Sequence, residues 1–288
     1  MNQNARYYRA VKPGDNLLNK ILRIATSTLF LLTSFILCNG FLQVIIASLA
    51  KFLGYGIKLT YNVVGVVPRD WHYWSKTRVT VVYFTAPVIF IVTGGLLFNF
   101  LRTHKTWLTA YRLFVFWLMI CSLNLALSHL FFSPLGIRGD GGMGYYQTFA
   151  IVATWMGLNS GIMSLVAGIS IICSIALGVF CRDEVLRFSY SSKLIQKPFG
   201  KNSIVFQLYL LPVAICAYPL IMLCSKDNIF PSAFMFGNLV IIWVGMFIRN
   251  FNDASIVRCA RGDVLNQFPF IEIILGVSSW FLVYRFFK

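Results

Sequence analysis

Long stretches without a formal charge constrain this chain more than any other feature. Residues 24–49, 79–101, 113–132, 148–180, 204–224 and 229–248 contain no Asp, Glu, Lys or Arg. A helix rises 1.5 Å per residue, so about twenty apolar residues cross the roughly 30 Å hydrocarbon layer of a bilayer. A seventh stretch, 268–287, is apolar apart from Glu272 and Arg285 and is read as a further span. Spans and short connections fill residues 1–288, which predicts an all-α, polytopic helical membrane bundle in a single integral membrane domain. About seven transmembrane helices are expected, with an interfacial or re-entrant segment after the first.

Composition agrees. Charged residues are 12% of the chain, against about 25% in ordinary soluble domains, and hydrophobic residues are 58%. The basic stretch with Arg6, Arg9, Lys12, Lys20 and Arg23 precedes an apolar run much longer than the roughly 7–15 residues of a signal-peptide core. A retained first helix is the expectation. Of seven cysteines, Cys38, Cys121, Cys173, Cys216 and Cys224 fall inside apolar runs and none forms a CxxC pair, so neither a disulfide framework nor a metal site is implied. No cofactor is expected either.

A net charge of +16 would suggest nucleic acid in a soluble protein, but no recognition module is present. In a membrane protein it is first a matter of topology, because lysines and arginines concentrate on the cytoplasmic side. With the N-terminus inside, the inner segments hold 16 of the 25 basic residues, and from the second span onward the ratio is 11 to 4. This predicts an inside N-terminus and a C-terminus on the opposite face. Around 181–202, five basic residues stand against Asp183 and Glu184, and anionic lipid headgroups are the expected partners.

The first connection, 50–78, breaks the charge rule with Lys51, Lys58, Arg69, Lys76 and Arg78. It also carries Trp71, Tyr73 and Trp74, which suit the headgroup layer. It is expected to lie along the outer face, with Arg69 and these aromatics available for interfacial or partner contacts.

Within the fourth run Gly157, Gly161, Ser164 and Gly168 recur at helical spacing and predict a close-packing face, with a kink near Asn159 and Ser160. Ionisable or strongly polar groups inside a span are functional candidates because they are costly there. Asn124, Ser128 and His129 in the third run, Asn159 and Ser160 in the fourth, and Glu272 in the last therefore form a candidate polar cavity or interhelical network.

Catalytic signatures are missing. The stretch from Gly157 to Gly161 resembles the setting of an intramembrane serine nucleophile, but no histidine follows Ser160 to act as its base. His129 lacks the Glu-x-x-His pattern of zinc proteases. The expected function is an integral membrane subunit or scaffold of a larger assembly, with protein partners in the membrane. The alternatives are a small transporter or lipid-handling protein with a cavity around spans three to five, and then a lipid-modifying enzyme using His129 and Asp140.

Overall fold

The computed structural model describes residues 17–59, 64–67, 74–104, 109–131, 148–188, 198–224, 230–252, 274 and 278. Among them the chain is helical apart from one small hairpin. Helix α1 spans Leu17–Phe52, α2 Lys76–Thr103 and α3 Thr109–Phe131. A short α4, Thr148–Met156, precedes α5, Ser160–Arg187. The next span is built from α6, Pro198–Val205, a π-helical turn, Phe206–Leu210, and α7, Leu211–Cys224. Helix α8 is Phe230–Asn252. Among the described residues five helical stretches are long and apolar enough to cross a membrane, which makes this a multi-pass helical membrane chain. Helix α8 adds a shorter apolar stretch, Met235–Arg249, and the expected span at 268–287, with Glu272, lies outside the described residues apart from 274 and 278.

Helices α1 and α3 bury most of their apolar windows inside the bundle, 61% and 67%, whereas α2 and α5 bury only 28% of theirs. The core is therefore built around the first and third spans, with α2 packed along α3 and α8 along α5. Aromatic side chains fill the middle: Trp117 stacks on Tyr209 at 5.1 Å, and Phe116 meets Phe188 edge-on at 6.0 Å.

Two glycines end helices. Gly54 has φ 84° and Gly157 φ 70°, a left-handed conformation that glycine adopts without a Cβ penalty. After each, the chain closes the paired bonds of a Schellman stop: Gly54 N–H to Lys51 O with Tyr55 N–H to Ala50 O, and Gly157 N–H to Thr154 O with Leu158 N–H to Ala153 O. The first stop releases the chain into β1, Gly56–Leu59, which pairs antiparallel with β2, Val64–Val67, from Gly56↔Val67 to Leu59↔Val64. The expected interfacial helix or re-entrant element is thus in part a β-hairpin. Ile57, Val64, Val66 and Val67 are β-branched, which disfavours helix, and the two strands satisfy each other's backbone groups.

The second stop corrects the fourth run. Instead of one long kinked helix at 148–180, the chain forms α4, breaks at Gly157, and restarts at Ser160. The Asn159 side chain accepts the Ile162 N–H at 2.8 Å, the ordinary work of an N-cap.

The π turn has a local cause. Pro212 has no N–H to give the Leu208 carbonyl one helical turn back. That carbonyl instead accepts the Ser27 hydroxyl of α1 at 2.7 Å, and Ser27 Oγ accepts Trp117 Nε1–H of α3 at 2.9 Å. A defect in one helix becomes the bond that joins three.

Candidate functional site

Among the described residues expected to form a polar cavity or interhelical network, those on α3 are buried and those at the start of α5 are exposed. Asn124 is buried in α3; its Nδ2 donates to Met235 O at 3.2 Å and its Oδ1 accepts from Asn238 Nδ2 at 2.9 Å. Ser128, also buried, bonds back to Leu125 O of its own helix at 3.1 Å, and His129 is buried beside it. Asn159 and Ser160 are exposed at the start of α5, and the Ser160 carbonyl accepts the Ser164 hydroxyl. Asp140 and Glu272 lie outside the described residues.

The predicted small-residue face also differs. Gly161 and Ser164 are exposed, a Cβ on Gly168 would meet nothing, and Gly157 sits in the break. Another set of small residues, Ser170, Ser174 and Gly178, forms the buried face of α5. A Cβ on Gly178 would overlap the Ile242 carbonyl of α8, and one on Gly245 would overlap the Ile175 carbonyl of α5, so the two backbones touch at reciprocal glycines. The Ser170 hydroxyl donates to Leu127 O of α3 at 2.6 Å. Both stripes are small; only the second also offers a hydroxyl, that of Ser170, to a neighbouring backbone and a glycine facing a glycine.

Of the interfacial candidates, Trp74 is half-buried and stacks on Tyr55 at 4.1 Å with the rings 9° apart. Tyr83 lies 6.3 Å further along. Arg69, Trp71 and Tyr73 are outside the described residues. The ring stack ties the end of α1 to the start of α2.

The densest chemistry lies where α2 ends, α3 begins, and α5 and α8 end. Arg112, at the start of α3, donates to Glu184 Oε2 at 2.8 Å and to the carbonyls of Leu101 and His104, both at 3.2 Å. Those carbonyls belong to the last turn and cap of α2, whose own helical donors have run out. Glu184 Oε1 accepts Arg187 at 2.7 Å. On the neighbouring residue, Asp183 holds Arg182 at 2.8 Å and Arg249 of α8 at 3.0 Å, while Arg249 also reaches Val179 O at 2.6 Å.

Four arginines thus share two carboxylates. The Arg112–Glu184 pair is almost fully enclosed, with side chains 3% and 5% exposed. Arg182 is wholly buried, whereas Arg187 and Arg249 remain partly open to the surroundings. Arg23 and Lys201 are buried as well, on α1 and α6.

Sequence reasoning missed this network. It placed Asp183 and Glu184 in a loop after residue 180, but α5 continues to Arg187. The usable signal was the Glu184 to Arg187 spacing of three, which is a helical pair. Among the described residues, no group of three or more His, Cys, Asp or Glu side chains is arranged to hold a metal.

Comparison with family models, with curated proteins and with solved structures finds no match to this chain. The site's own geometry must carry any assignment.

Proposed function

We propose that the chain is a non-catalytic integral membrane subunit or scaffold, acting through helix–helix and interfacial contacts with other membrane components. The observation that carries this is how the buried polar groups of the spans are used. Asn124 and Asn238, Trp117 and Ser27, Ser170, and Tyr209 bond to one another or to carbonyls of a neighbouring helix. Such bonds fix the bundle's own packing and leave these groups engaged with protein rather than substrate.

The exposed faces of α2 and α5 support the same reading. Val88, Ile91 and Leu96 on α2, and Leu165, Ile169 and Ile172 on α5, lie open on the outside. In a bilayer, lipid tails or partner helices cover such faces.

A transport cavity is supported less well. Ser170 meets α3 at Leu127, and Ser160 lies ten residues earlier on α5, about 15 Å along the helix. Asn159 and Ser160 are therefore far from Asn124.

Native purification in mild detergent tests the proposal. One membrane protein should co-purify in constant ratio and cross-link to photoreactive groups placed at Leu165 or Ile172. Recovery of the chain as a lone monomer from every native preparation, with no specific cross-link, overturns it.

A further inference from the structure

We propose that the arginine network at the ends of α5 and α8 seats the phosphate of one anionic phospholipid headgroup, with Arg187 as its principal contact.

Charge is the first argument. Four guanidinium groups pair with two carboxylates in this network. Segments 1–23, 102–112, 182–201 and 249–263, which flank helix ends in the sequence, carry sixteen Lys or Arg and five Asp or Glu. Even with every one of those acids paired, the region keeps a large positive excess, and a phosphate is the anion a bilayer surface presents in quantity.

Geometry is the second. Arg187 engages Glu184 through Nη1 at 2.7 Å, leaving its other guanidinium donors for a second oxyanion, and its side chain is 27% exposed. Glu184 is itself fixed by the buried Arg112, which is anchored to two carbonyls of α2. The guanidinium is therefore held in place before the ligand arrives, which lowers the entropy lost on binding. A surface lysine on a free loop has no such support.

The third argument selects a lipid over a free anion. Arg187 is in the last turn of a membrane-length helix, and Phe180, seven residues before it, lies two turns away on the same face. Phe180 is 62% exposed, and Cys173 and Ile169 continue that exposed side of α5. A cation at the helix end above an open apolar face matches a phosphate head joined to acyl chains.

This inference does not depend on the protein partner proposed above: a chain that purifies alone can still bind the lipid, and failure here leaves that reading standing. The test is native mass spectrometry of the full chain with added phosphatidylglycerol or phosphatidylcholine, in the parent, Arg187→Gln, Arg187→Lys and a Lys193→Gln/Lys197→Gln control. One phosphatidylglycerol should be held at least about tenfold more tightly than phosphatidylcholine. Arg187→Gln should abolish the preference and Arg187→Lys should keep part of it. The control, which removes two positive charges from the stretch of sequence that follows α5, should retain it. Equal weakening in Arg187→Gln and the control would mean diffuse attraction and overturn the proposal. Loss of preference in Arg187→Lys as complete as in Arg187→Gln with a lowered thermal midpoint in both, displacement of the lipid by millimolar inorganic phosphate, or no preference in the parent would do the same.

Discussion

Arg112 and Glu184, 72 residues apart, meet at 2.8 Å with both side chains almost completely enclosed. An enclosed ion pair contributes little relative to a well-packed apolar substitute, but removing one member strands the other charge at a cost of about 3–5 kcal/mol. Glu184→Gln, or Arg112→Met alone, should therefore lower stability by that order, read as a drop in thermal midpoint or a shift in the denaturant transition in detergent. The double variant Arg112→Met/Glu184→Met should recover at least half of the loss. If the double variant loses the sum of the two singles, the residues do not act as a pair.

The reciprocal glycines of α5 and α8 give a second expectation. Gly178→Ala places a methyl group on the Ile242 carbonyl and Gly245→Ala places one on the Ile175 carbonyl, and a backbone oxygen cannot step aside as a side chain can. Each should destabilise the bundle by about 2 kcal/mol or more, at the upper end of the usual overpacking penalty. Gly168→Ala, whose methyl group would meet nothing, should be neutral or slightly stabilising, since alanine favours helix by up to about 1 kcal/mol. Midpoints measured side by side decide it; equal effects at positions 168 and 178 would contradict the seam described here.

At the break between α4 and α5, Asn159 acts as a helix cap. Asn159→Ala should cost about 0.5–2 kcal/mol, and Asn159→Asp, which keeps the accepting oxygen, should restore most of it. A role in substrate binding would instead leave stability unchanged and alter an activity.

The helices were legible in the sequence because lipid demands one property over twenty residues, and the uncharged runs display it directly. What was illegible had two meanings in the same letters. Gly157 reads as part of a close-packing stripe or as a helix stop, and only its positive φ separates the two. Gly161 to Gly168 and Ser170 to Gly178 are alike in residue size, so the seam is decided by what each faces across a neighbouring helix. The arginines were counted for topology, while Arg112 and Arg249 pair with carboxylates brought by another helix. Position 112 carries no local sign of position 184.

The three-helix bond at Ser27 gives the most specific expectation. Ser27→Ala removes the acceptor of Trp117 Nε1–H and the donor to Leu208 O together, leaving two buried polar groups unmatched. Each unmatched group costs about 1–3 kcal/mol, so a loss of about 2–6 kcal/mol is expected. The Leu208 carbonyl needs an outside donor because Pro212 has no N–H for it. Pro212→Ala restores that N–H and should rescue part of the Ser27→Ala loss while giving a smaller gain, or none, in the parent chain, where Ser27 already serves the carbonyl. A double-mutant cycle on thermal midpoints reads the coupling directly. Strict additivity between Ser27→Ala and Pro212→Ala would mean that the proline and the serine are unconnected, and that the π turn has another origin.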